Sequence, residues 1–146
     1  MAETLKIVAK KLNIRMDKGG TFNPIFYILN ANNAPVNLTG HNAVMQVKQD
    51  YSDVVPIFDL TTTNGKITIV GPDLVTLYAG EELNGVILSS DLTIANVYGI
   101  QPYISAELTS AITQDTLVYN VDLIKPSLDV IKYLKGSIFL NPDGTS

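Results

Sequence analysis

The chain has 146 residues, 46% of them hydrophobic and 16% charged, with a formal net charge of −4. That length supports one ordinary core, and nothing in the sequence reads as a linker, so one domain is expected. A net negative body is a poor partner for nucleic-acid phosphate, and the absence of cysteine excludes a disulfide framework and a thiolate metal site, leaving packing alone to hold the fold.

The charge is unevenly placed. Residues 1–18 hold five basic residues against two acidic ones, a net of +3, and the rest holds five against twelve, a net of −7. We expect an N-terminal arm over residues 1–11 ahead of a domain over 12–146. The arm either reaches a complementary acidic neighbour, such as another copy, or is simply a solvated segment. Lys6, Lys10 and Lys11 interrupt its apolar residues, and no run elsewhere approaches the roughly 20 apolar residues of a membrane span. A product that is neither secreted by the usual route nor membrane-embedded is the expectation.

Leu5, Val8, Ala9 and Leu12 have helix-like spacing, whereas Ile14 and Met16 alternate with Arg15, which predicts an arm leading into a first strand near Leu12 to Met16. Phe22 to Leu29 is an apolar run bounded by Gly19-Gly20 and by the Asn30 to Pro35 turn, and it reads as a strand with Pro24 near its start or on an edge. Asn and Pro supply the backbone angles of that turn. Beyond it, Ala43, Met45 and Val47 alternate with Val44, Gln46 and Lys48, the pattern of a strand with one buried face. These two strands form an opening hairpin-like unit.

Val54 to Leu60 resumes an apolar run as an edge or bent strand, Asn64-Gly65 is a strong hairpin signal, and Lys66 to Val70 is the expected pairing partner. Gly71 to Tyr103 reads as an irregular insertion. Pro72-Asp73 would open a helical turn through Leu77, Val86 to Leu88 is a small strand, and Ser89-Ser90-Asp91 would cap a second helical turn through Val97. Ile100 to Leu108 and Leu117 to Ile124 are strands, the second with Tyr119, Val121 and Leu123 on one face. Val130 to Leu140 is a long closing strand with a bulge expected at Lys135-Gly136. Asn141 to Gly144 ends the domain. Seven or so strands at regular spacing predict an all-β, antiparallel sandwich.

Several segments carry a family likeness. Gly19-Gly20-Thr21-Phe22, then Ala34-Pro35-Val36-Asn37-Leu38-Thr39-Gly40, then Val44-Met45-Gln46-Val47-Lys48 resemble the pattern of small immunoglobulin-like β-sandwich proteins of tailed bacteriophages. Asn64-Gly65-Lys66-Ile67-Thr68, Val118 to Leu123 and Tyr133 to Ile138 are similar to later pieces of that pattern, in the same order. Gly20 and Ala34 depart from it, and the stretch from Gly71 to Tyr103 is longer than usual. The resemblance implies an immunoglobulin-like sandwich and a non-enzymatic structural subunit of a virion. Its place would be the tail, baseplate or neck, assembled in the host cytoplasm. The implied partners are other virion structural proteins, in multiple copies of a symmetric assembly, with no nucleic acid and no membrane.

A search for chemistry finds no catalytic, cofactor-binding or metal site. His41, the only histidine, lies in a turn with no serine nucleophile motif nearby, and a triad needs three placed partners. Asp50 and Asp53 lack EF-hand spacing and read as a solvated turn. Glu81, Glu82, Asp91 and Glu107 offer carboxylates without a pattern specific to glycoside hydrolysis. No glycine-rich loop ends in Gly-Lys-Ser or Gly-Lys-Thr. Asn37-Leu38-Thr39 fits an acceptor sequon but reads more simply as a turn. The seven tyrosines, Tyr27, Tyr51, Tyr78, Tyr98, Tyr103, Tyr119 and Tyr133, either line a sugar-binding face or act as core and cross-strand neighbours. A carbohydrate-binding or host-adhesion module is therefore the alternative to the structural subunit.

Overall fold

The computed structural model describes residues 4–7, 10–11, 13–30, 32–83 and 86–142, with side chains from Asn13 onward except at 132 and 133. In chain order the elements are β1 (Thr4–Ile7), β2 (Lys10–Lys11), β3 (Ile14–Asp17), β4 (Ile25–Ile28), β5 (Asn42–Lys48), β6 (Phe58–Thr61) and β7 (Ile67–Leu77). They continue with β8 (Glu82–Leu83), β9 (Val86–Ile87), β10 (Leu92–Pro102), the helix α1 (Ala106–Ser110), β11 (Thr116–Ile124) and β12 (Val130–Asn141). The fold is all-β and sandwich-like.

Two sheets share one core. The first has the order β1-β4-β10-β7, and the second runs β2-β12-β11-β5-β6 with β3 also on β12. Alternation dictates the second sheet: Ala43, Met45 and Val47 on β5, and Leu117, Tyr119, Val121 and Leu123 on β11, are all buried. Phe26, Ile28, Ile67 and Ile100 meet them from the first sheet. A fully buried side chain of this size contributes about 1.5–3 kcal/mol.

Local patterns found most strands but not their partners. The two strands expected as an opening hairpin, β4 and β5, lie in different sheets, β4 between β1 and β10 and β5 between β11 and β6. The first of them is shorter than expected, reduced around Asn23-Pro24 to isolated bridges at Phe22 and Leu29 on either side of β4. The Asn64-Gly65 turn likewise joins strands of different sheets, because β6 pairs with β5 and β7 with β10. Val54 to Ile57 precede the strand as an exposed loop, with Val54 92% accessible.

The insertion is corrected most. No helical turn forms at 72–77 or 92–97: these segments belong to β7 and β10, each 11 residues long. They pair antiparallel with Leu77 opposite Leu92, Thr76 opposite Thr93 and Val75 opposite Ile94. The β-branched Val, Thr and Ile of these segments suit a ladder and outweigh the helix-start signals. The register shifts between Ile94 and Gly99, where Gly71 is held at φ +108 and a Cβ would come within 2.6 Å of the Val97 carbonyl oxygen. Strands β8 and β9 pair as a small hairpin on this ribbon, and Leu29, Val75, Leu77, Leu83 and Val97 make a second, smaller core there.

The strand expected to run to Leu108 stops at Pro102, and Ala106–Ser110 is helical, with the Ser105 side chain accepting the Leu108 N–H. The bulge in β12 falls at position 133, since Val121 is opposite Leu134 and Asp122 opposite Lys132. Not all pairing is antiparallel. β1 lies parallel to β4, and β2 and β3 parallel to β12, so the chain changes sheets between β1 and β2. The reading of the arm as basic and free to reach a neighbour depends on the side chains of Lys6, Lys10 and Lys11, which lie outside the described residues.

One buried hydroxyl ties the helix to the first loop. Thr109, fully buried, donates to the Gly20 carbonyl at 2.7 Å and accepts the Gly19 N–H at 3.1 Å. Thr109→Val keeps the shape and strands both backbone groups. Because an unsatisfied buried group costs about 1–3 kcal/mol, urea unfolding of this variant is expected to show a lower midpoint at unchanged slope.

Candidate interaction surfaces

The side chains weighed for chemistry serve local structure. Asn37 accepts the Thr39 N–H at 2.9 Å and the Leu38 carbonyl accepts the His41 N–H at 3.0 Å, so the sequon and the histidine form one corner over the buried Leu38. Asp50 accepts from the Ser52 backbone N–H and hydroxyl, which hold its carboxyl below the usual carboxylate range, and Asp53 accepts the Asp50 N–H. Glu81 and Asp91 come together at the ribbon end, accepting successive amides: Tyr78 N–H at 2.6 Å and Ala79 N–H at 2.8 Å. Glu107 is apart from them on α1. Among the described residues no three of His, Asp and Glu converge as metal ligands would.

A shallow cleft between β3 and the loop at Thr21 to Pro24, bordered by Arg15 and Asp17, encloses about 90 Å³. Small-molecule sites usually enclose roughly 300 Å³ or more, so this cleft does not fit that class.

The tyrosines divide by position. Tyr119 is buried in the core, and burial, reinforced by the nearby Tyr51, pushes its phenol far above the ordinary value. Tyr27 donates to Asp73 at 3.1 Å and Tyr51 to the Gly136 carbonyl at 2.9 Å. Burial raises both, and the Asp73 charge raises Tyr27 further. Tyr51, Tyr78 and Tyr103 are exposed, but Tyr51 lies over the second sheet at Gly136, and Tyr78 and Tyr103 stand at opposite ends of the β7–β10 ribbon, about 30 Å apart at the usual strand rise. The exposed rings therefore do not form one sugar-stacking platform, and the Tyr133 side chain lies outside the described residues.

What the surface offers instead is exposed apolar side chains, among them two groups. Leu74, Tyr78, Val86 and Ile87, on the apex of the ribbon, are each between 60% and 72% exposed, and Val54 and Val55 stand out ahead of β6. The residue pattern signals part of this in advance, because Asn84-Gly85 between β8 and β9 is a dipeptide favoured in two-residue hairpins. The edge strand β6 is itself closed off. Alternation with the Thr62-to-Ala43 hydrogen bond turns Asp59 and Thr61 outward, and the Asn64 side chain accepts the Thr61 N–H at 3.1 Å while donating to the Asp59 carbonyl at 2.9 Å. It takes the place of a neighbouring strand.

No family model matches this sequence, and no curated protein matches it.

Two outcomes follow from this geometry. Asn64→Ala reopens the β6 edge, so light scattering on concentrated protein should show more aggregation than in wild type. In an alkaline titration followed by tyrosinate absorbance, Tyr119 should ionise last and together with unfolding. Its folded-state pKa lies above the unfolded value of about 10, so its contribution to stability is intact below that pH and lost above it.

Proposed function

We propose that the chain is an immunoglobulin-like β-sandwich acting as a non-enzymatic structural subunit of a bacteriophage virion, in the tail, baseplate or neck, through protein–protein contacts. The strand order supports the fold half of this reading. A four-stranded sheet ordered β1-β4-β10-β7 facing one ordered β12-β11-β5-β6 corresponds to the ABED and GFCC′ arrangement of that fold. The β3 strand adds to β12 in parallel. The parallel pairing of β1 with β4 is a departure confined to the first strand.

The observation that carries the functional half is the form of the exposed surface. Apolar side chains stand out on a projecting ribbon and on a loop beside a closed sheet edge, a shape suited to contact with another protein. The phage assignment comes from the resemblance of the Gly19 to Lys48 segment and its later counterparts. Mass spectrometry of gradient-purified particles from the phage genome encoding this chain is expected to find it at a fixed ratio to the tail proteins. Its absence from intact particles, or unchanged particles from a deletion, would sink the reading.

A further inference from the structure

Asn64, which closes the β6 edge, is followed by glycine. Both residues are exposed to water, and Gly65 has φ +79 with open space where a Cβ would stand. Such a dipeptide is chemically labile. Glycine leaves its own amide nitrogen unshielded, and that nitrogen can attack the side-chain amide carbon of the asparagine before it. The folded turn holds both reactants elsewhere. Asn64 Oδ1 accepts the Thr61 N–H at 3.1 Å and the Lys66 N–H at 2.9 Å, and Nδ2 donates to the Asp59 carbonyl at 2.9 Å. The Asn64 N–H donates to the Thr61 hydroxyl at 2.8 Å, and the Gly65 N–H, the nucleophile, donates to the Thr62 carbonyl at 3.3 Å. Cyclisation would have to break these hydrogen bonds.

We propose that Asn64 is a deamidation site gated by opening of the turn over residues 61–66, and that its product unlocks the β6 edge. When the turn opens, the Gly65 nitrogen loses its proton to base and forms a bond to Asn64 Cγ. The Cγ–Nδ2 bond breaks, ammonia leaves, and a cyclic succinimide remains. Water then adds to either carbonyl of the ring and reopens it to aspartate or isoaspartate. Nothing is oxidised or reduced: an amide and water become a carboxylate and ammonium. Both products lack the Nδ2 donor. In the aspartate a carboxylate oxygen faces the Asp59 carbonyl, acceptor against acceptor, where a hydrogen bond closed the edge. Isoaspartate also lengthens the backbone by a methylene and disturbs the Lys66 N–H to Thr61 carbonyl bond at 3.1 Å. The rate follows the population of the locally opened turn, and the change is one-way.

The test is mass spectrometry of the full chain aged in mildly alkaline buffer, folded or in guanidinium chloride. Cleavage after Lys66 separates Asn64 from the chain's other Asn-Gly, at Asn84. Asn64 is expected to convert steadily in denaturant, and faster at higher pH because the nucleophile is the deprotonated amide. In the folded chain it should convert at least about tenfold more slowly, as a step that waits on local opening does. Hydrogen exchange at the Lys66 amide reports the same opening, and its protection should be comparable with that slowing. Thr61→Val removes the hydroxyl that holds the Asn64 N–H. Folded by circular dichroism, it should convert several-fold faster than folded wild type and at the same rate in denaturant. Asn64→Asp reproduces the aspartate product, and light scattering at high salt, where the added charge is screened, should show more aggregation than in wild type. Equal rates for folded and unfolded wild type, no conversion in denaturant, or an Asn64→Asp chain that scatters like wild type would each overturn the proposal. So would a folded Thr61→Val chain that converts like wild type, or exchange protection that does not match the slowing.

Discussion

The register of β11 is the constraint on which the rest of the structure depends. It lies between β5 and β12, and its alternate residues Leu117, Tyr119, Val121 and Leu123 are each at most 1% exposed. A slip of one residue against either neighbour would turn those four to solvent and bring Val118, Asn120 and Asp122 inward. The polar members of that second set require hydrogen-bonding partners that a core facing Met45, Phe26 and Ile100 does not contain. The strand is therefore fixed on both sides by what a shift would bury. Once it is fixed, β5 and β12 are fixed with it, and β6 and β3 are placed by pairing onto them.

The central strands are legible in the sequence for the same reason. β5 and β11 face a core on one side only, and a half-buried strand writes its period into its residues. Sheet membership is written nowhere locally. Asn64-Gly65 makes a tight turn whether the strands it joins pair or separate, and here they separate, β6 onto β5 and β7 along the long β10. The β7–β10 ribbon was illegible for a different reason. Pro72-Asp73 and Ser89-Ser90-Asp91 are ordinary helix openings, and only the distant matching of Leu77 with Leu92 and Val75 with Ile94 overrides them. Helix α1 is the converse case. Its apolar residues continue the strand-like run from Ile100, and the Ser105 cap and the Thr109 hydrogen bonds to Gly19 and Gly20 decide it. The candidate surface was partly visible as a long stretch without basic residues, whereas the clustering of its exposed side chains depends on a hairpin stacked on a ribbon.

Two sheet edges carry features that oppose strand addition. An open strand edge pairs with any other, and Asn64 removes that option at β6 by supplying the donor and acceptor of a missing neighbour. At β7 the register shifts opposite Asp73 to Val70 interrupt the regularity that edge pairing requires. Strand addition is thus blocked at β6 and irregular at β7, while β1 and β2 also stand at the ends of their sheets.

Charge is unevenly distributed as well. The chain has ten basic and fourteen acidic residues, and mixing the signs across the surface would leave the least self-repulsion. Instead the stretch from Ile67 to Ile124 has acidic residues and no Lys or Arg. Internal stability does not account for the arrangement. The Lys18–Asp115 pair at 3.7 Å has its carboxylate almost fully exposed, and exposed pairs contribute little. A fold whose stability comes from apolar alternation in β5 and β11 does not depend on pairing its few charges within the chain.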